Sequence, residues 1–194
     1  RPVLARNVLG RHARFFERPS AHRLFAALIF GDDRLEHDER DAGVNVFGMV
    51  AMCQAVVPGM KARGGGRIIN MSSIAGVLSG PMTAPYAMTK HAVEAFSKAL
   101  RDELAPYGID VTKVNPGPYD TGFNDAMVNG IATYIEEGDA PAEAAEAFVR
   151  EIVLTGQLDP DEVVQAVADL VEADETPVET FLPPEILALI NPPG

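Results

Sequence analysis

The chain has 194 residues, 47% of them hydrophobic, enough for one globular domain with a real core. Its formal charge of −12 at pH 7 excludes a general nucleic-acid binder and suits a protein that handles neutral small molecules. A single cysteine, Cys53, excludes an internal disulfide and points to a reduced, cytoplasmic setting, and no apolar run is read as approaching the length of a membrane span, so no membrane partner is expected.

The charge is unevenly spread. Residues 1–40 hold eight arginines against six acids, together with three of the four histidines. This basic N-terminal segment fits poorly with the rest and offers no recognisable site. Its apolar run, Leu24 to Phe30, is ambiguous between strand and helix. Its arginines read as a polyanion-binding arm or, in preference, as a solvated stretch. The chain starts at Arg1 without a Met, which leaves room for an upstream part.

Residues 41–194 carry the pattern of a folded unit. Val44 to Met60 is apolar nearly all round, the signature of a helix packed on more than one side. Asn45, near its start, reads as a cap or turn residue, or as a polar group that holds a water beside a site. Pro58-Gly59 and then Gly64-Gly65-Gly66 are expected to close this helix. The triple glycine precedes a strand, Arg67 to Met71, not a helix. It therefore reads as a turn rather than a phosphate loop, which requires a helix N-terminus.

The chemistry lies between Ser73 and Thr121. Ser73 follows the strand. A helix begins at Pro85, whose fixed φ suits a first turn, and its apolar positions Met88, Ala92, Val93, Phe96, Leu100 and Leu104 recur at helical spacing. Pro106 and Gly108 stop it. Tyr86 and Lys90 are four residues apart on this helix and so share a face. A tyrosine titrates near pH ~10, and an ammonium held beside it favours the phenolate, which makes the pair a proton-transfer device. A second strand, Ile109 to Val114, ends in Asn115-Pro116-Gly117-Pro118, and Thr121 closes that turn with a hydroxyl. Strand–helix–strand in this order predicts parallel strands, with ligands bound beyond their carboxyl ends. No metal ligation is read from the pattern.

From Asn45 to Asp125 the chain resembles the second half of a short-chain dehydrogenase/reductase. The resemblance rests on four pieces in order: Val-Asn45-Val-Phe-Gly, Gly-Arg-Ile-Ile-Asn-Met-Ser-Ser73, Tyr86-Ala-Met-Thr-Lys90, and Asn115-Pro-Gly-Pro-Tyr-Asp-Thr121. It implies an α/β fold, a three-layer Rossmann-like parallel sheet incomplete at its N-terminal half. It implies NAD or NADP as cofactor and a small-molecule carbonyl or alcohol as substrate. Tyr86 would then be the general acid/base, Lys90 would tune it and bind the nicotinamide ribose, and Ser73 would polarise the carbonyl. Asn45 would anchor the relay water, while Pro116, Gly117 and Thr121 would position the nicotinamide. Homodimers or tetramers, paired through the helices from Val44 and Pro85, are implied in the same way.

The glycine-rich turn Gly-x-x-x-Gly-x-Gly that opens such proteins is not found, since the only glycines before Asn45 are Gly10, Gly31 and Gly43. Two readings compete: an active oxidoreductase, or a truncated, inactive fragment that serves as a binding or oligomerisation module. An epimerase or dehydratase also uses Tyr-x-x-x-Lys, but the serine spacing and the Asn-Pro-Gly-Pro turn favour the oxidoreductase. Beyond Thr121, residues 122–138 and 140–158 read as helical segments whose Phe123, Met127, Ile131, Tyr134 and Ile135 line a substrate pocket or, more simply, pack as core. A helix with acids in its first turn starts at Asp159, Thr176 to Leu182 reads as an edge strand, and Pro183-Pro184 and Pro192-Pro193 read as a surface tail.

Overall fold

The structure, a computed structural model, describes residues 42–190; the expectations for residues 1–40 and for Pro192-Pro193 lie outside them. The chain divides into two compact units, one ending at Val56 and one beginning at Val57.

The first unit contributes a wide, π-type turn, Gly43–Gly48, that leads directly into helix α1, Met49–Arg63. The helix corrects three expectations. It does not stop at Pro58-Gly59 but continues to Arg63. Gly64, at φ +78°, ends it, with the Gly65 N–H bonded to the Met60 carbonyl and the Gly64 N–H to that of Lys61. This is the paired 6→1 and 5→2 closure of a Schellman motif, so the glycine run is a helix-to-strand turn, as its position before a strand implied. Nor is the helix enclosed: only Cys53 is buried along it, while Val44 and Met52 are 67% and 66% exposed. Because turn and helix join without a break, Gly43–Arg63 forms 21 helical residues of mean hydropathy 1.4, long and apolar enough by length and composition to cross a membrane. The expectation that no apolar stretch reaches that length does not hold.

The second unit is a parallel sheet in the order β1 (Gly66–Met71), β2 (Ile109–Pro116), β3 (Glu179–Leu182). Gly66 pairs with Ile109 and Met71 with Val114; Lys113 pairs with Glu179 and Pro116 with Leu182. Helix α2, Ala84–Leu104, crosses from β1 to β2, and Gly108 at φ +68° ends the short turn Ala105–Tyr107 that follows it. The βαβ unit is therefore as the sequence pattern predicted.

Side chains alternate across the strands and sort the helices onto two faces. Asn70, Lys113 and Asn115 point to α2, where the Asn70 amide donates to Ser97 Oγ at 2.8 Å. Ile69, Val114 and Leu182 point the other way, into a core shared with Leu170 of helix α5, Asp161–Glu172. α5 begins at Asp161, two residues later than the start expected at Asp159, whose carboxylate accepts from the Asp161 N–H at 2.9 Å. Helix, sheet and helix thus make three layers, the expected Rossmann-like α/β arrangement. Helices α3 (Phe123–Ala132) and α4 (Ala140–Leu154) fill the connection between β2 and α5.

Pro183-Pro184 are not tail. Pro184–Ile186 forms a 3₁₀ turn that leads into α6, Leu187–Ile190, and Ile186 is buried. A Cβ added at Gly117 would lie 2.7 Å from Ile186 Cδ1, so this turn packs directly against the end of β2.

Candidate active site

Ser73 sits where β1 ends. Its backbone is extended, and its hydroxyl caps the 3₁₀ turn Ile74–Gly76 by accepting from the Ala75 N–H at 3.1 Å. The same hydroxyl donates to the Pro116 carbonyl at 3.4 Å, which joins the ends of β1 and β2. Ser73 is 9% exposed, a hydroxyl held in place rather than swinging in solvent.

Tyr86 and Lys90 occupy the first turns of α2 on one face. The Lys90 ammonium lies 5.7 Å from the centroid of the Tyr86 ring. It donates to the Met71 carbonyl at 3.2 Å, two residues before Ser73, and is itself 9% exposed. Lys90 therefore links the start of α2 to the end of β1. Tyr86 stays half-buried, with the Phe123 ring tilted against it at 5.4 Å. The loop between Ser73 and Tyr86 holds Met82 at φ +61°, a conformation uncommon for a non-glycine residue.

Pro116 and Gly117 stand at the end of β2 beside Ser73, the Gly117 N–H bonded to the Leu182 carbonyl at 2.7 Å. Thr121 is exposed, and its hydroxyl accepts from the Phe123 N–H at 3.4 Å, within reach of the ring that covers Tyr86. Ser73, Tyr86, Lys90, Pro116, Gly117 and Thr121 are thus linked around one corner of the second unit. Asn45 belongs to the first unit, half-buried inside the Gly43–Gly48 turn rather than capping it.

Of the five residues read as pocket or core, Phe123 packs against Tyr86. Met127, Ile131, Tyr134 and Ile135 are only half-buried, and Val128 is the buried residue of α3. The sequence reading missed Glu94 altogether. It lies one helical turn beyond Lys90, and its carboxylate accepts from the Ser72 hydroxyl, the Lys113 ammonium and, at 2.6 Å, the Asn115 amide. The spacing of four from Lys90 was the available signal. Burial pulls the Lys113 pKa down, but the hydrogen bonds and charges of Glu94 and Glu179 outweigh it and hold the ammonium above the ordinary lysine value.

A cleft of about 550 Å³ opens at the other end of the strands, lined by Arg67, Arg101 and Asp110 among others. It is lined by arginines already engaged. Arg67 holds the carbonyls that end α5, and both guanidiniums grip Asp110. Ser73, Lys90 and the Pro116-Gly117 turn lie at the opposite ends of β1 and β2.

The family model described as short chain dehydrogenase matches residues 33–131, just over half of the chain. The chain belongs to this family. Among curated relatives, it is 33% identical over 140 residues to the uncharacterized oxidoreductase YusZ of Bacillus subtilis, covering 72% of this chain and 49% of that protein. It is 48% identical over 81 residues to the 3-ketodihydrosphingosine reductase of Bacteroides thetaiotaomicron, covering 42% of this chain and 30% of that one. Among solved structures, a gluconate 5-dehydrogenase from Burkholderia cenocepacia in complex with NADP and tartrate matches with a TM-score of 0.61 at 30% identity, over 79% of this chain and 57% of that one. The chain therefore spans about half the length, or less, of these curated relatives.

Proposed function

We propose that this chain carries the proton-relay part of an NAD(P)-dependent oxidoreductase that interconverts an alcohol and a ketone or aldehyde on a small molecule. One arrangement carries the reading: Lys90 beside the Tyr86 ring, hydrogen-bonded to the end of the strand that delivers Ser73. Tyr86 gives its phenol proton to the substrate oxygen in reduction and takes it back in oxidation. The ammonium of Lys90 stabilises the phenolate left behind. Ser73 donates to the same substrate oxygen and fixes its position. Asn45 is the residue to which the family resemblance assigns the relay water.

The residues present fit the nicotinamide end of the coenzyme. Lys90 offers a nearly buried cation for a ribose hydroxyl, and the exposed Thr121 hydroxyl after the Pro116-Gly117 turn suits a carboxamide. When bound, the coenzyme supplies or accepts the hydride; the protein contributes geometry and electrostatics. The names of the relatives, two of them a reductase and a dehydrogenase, support this class of reaction. The single cysteine supports a cytoplasmic protein, and the exposed apolar side of α1 supports a homodimer or tetramer rather than a membrane anchor.

A second reading is an inactive module that only binds or assembles. It is favoured by the missing Gly-x-x-x-Gly-x-Gly turn, which would cradle the pyrophosphate. Fluorescence titration with NADH and NADPH separates the two. Saturation below about 1 mM is expected of the enzyme, and no binding there favours the module. With a ketone substrate, Tyr86→Phe should lower kcat by about 10²- to 10⁴-fold, and unchanged turnover would remove Tyr86 from the relay.

A further inference from the structure

Glu94 lies beneath the candidate active site, at the point where the three site-bearing elements meet. It sits on α2 one turn after Lys90. One carboxylate oxygen accepts from the Ser72 hydroxyl and from Asn115 Nδ2, and the other accepts from Lys113. Asn115 Nδ2 also donates to the Ser73 carbonyl at 3.2 Å. Asn115 is fully buried and directly precedes Pro116, whose carbonyl receives the Ser73 hydroxyl. The residue before Ser73 and the carbonyl of Ser73 are therefore both referred to one carboxylate.

From this arrangement we infer that Glu94 is a positioning residue: its carboxylate sets Ser73 and the Pro116-Gly117 turn relative to Tyr86 and Lys90. The inference rests on the proton-relay reading of those residues. Even a part-buried acid costs free energy unless its charge is matched, and Lys113, itself shared with Glu179 at 3.0 Å, supplies the match. Lys113 neutralises, whereas the acceptor function of Glu94 does the aligning. A salt bridge kept only for stability would be replaceable by any well-packed apolar pair. An aligning acceptor is replaceable only by another acceptor. The distinction matters because a displacement of about 1 Å in a catalytic group costs on the order of 10² in rate.

Two double variants separate these roles. E94L/K113M removes charge and acceptor together; E94Q/K113M removes the charge and keeps an acceptor for Ser72 and Asn115. The first readout is amide hydrogen exchange at Ala75, whose N–H is bonded to Ser73 Oγ. In E94L/K113M, exchange at Ala75 should accelerate about two- to tenfold while Val111 and Val114 in β2 stay protected, and E94Q/K113M should restore it. The second readout is turnover: kcat falls about 10- to 100-fold in E94L/K113M with KM nearly constant, and E94Q/K113M rescues it. Unchanged exchange at Ala75 in E94L/K113M, or no rescue by E94Q/K113M, overturns the inference. If the wild-type chain turns nothing over, the proton-relay reading fails and the exchange comparison alone decides Glu94. If E94L/K113M does not fold, Ser72→Ala replaces it; that substitution deletes one hydroxyl bonded to Glu94 and should accelerate Ala75 exchange, and no change overturns the inference.

Discussion

Tyr86 and Tyr119 place the same side chain in two different surroundings. Tyr86 keeps its ring half-buried beside an ammonium. Tyr119 is buried among Val114, Leu170 and Leu182, and its hydroxyl donates to Glu162 at 2.6 Å. Burial, then the hydrogen bond to Glu162 and the charges of Glu162 and Glu185, raise the Tyr119 pKa well above the ordinary tyrosine value. The consequence for stability has a definite sign. Below pH ~10 the phenol is neutral whether the chain is folded or not. Above it, the unfolded phenol loses its proton while the folded one retains it, so stability falls as pH rises. Tyr119→Phe should therefore lower stability at neutral pH by roughly the value of one hydrogen bond, about 0.5–3 kcal/mol, yet lose less between pH ~8 and pH ~11. Urea midpoints at the two pH values measure this; equal losses in wild type and variant would mean that Tyr119 titrates freely. None of this was legible in the sequence, because Glu162 is 43 residues from Tyr119 and nothing local pairs them.

Elements were legible where a local rule and the tertiary fold agree. The β1–α2–β2 unit follows from period-3.6 spacing between two apolar strands bounded by glycines, and the structure has those elements within a residue or two. The end of α1 was legible in part: of the two signals expected to close it, Gly64 does so and Pro58-Gly59 does not. Proline in a helix interior costs ~3 kcal/mol, and the local rule places an end at Pro58-Gly59; the fold places it at the left-handed Gly64. The candidate site residues were chosen on short-range spacing and on the family resemblance, whereas the Glu94 hub joins residues 19 to 22 positions away and no local rule pairs them. The two turns that end the helices differ in a testable way. Gly64 has φ +78° with open space where a Cβ would go; Gly108 has φ +68° and would place a Cβ 2.9 Å from the Gly64 carbonyl oxygen. Gly64→Ala should cost only the backbone strain, about 1–2 kcal/mol, and Gly108→Ala should cost more, since backbone must also shift. Equal losses in urea unfolding would mean that the two turns move apart freely.

The molecule as a whole leaves apolar surface on α1 that the described residues do not cover. Met52 and Val56 are four apart on one helix face and are 66% and 38% exposed. Exposed apolar side chains at this spacing are more costly to leave in water than to pair, at about 25 cal/mol per Å² removed. Among the described strands, β1 pairs only with β2. Two kinds of partner suit an apolar helix of 21 residues, another protein copy or lipid, and they make different demands. Gln54 and the acidic bulk of the chain suit a protein partner, because a polar amide in the middle of a span lacks water to bond. Sedimentation without detergent therefore should give a discrete species at a multiple of 20.8 kDa. Met52→Glu with Val56→Glu should convert it to a monomer, since four like charges across a symmetric contact repel and bury unpaired. A wild-type chain that is monodisperse only in detergent, or a double variant that keeps the wild-type mass, would turn the helix over to lipid or to a different face.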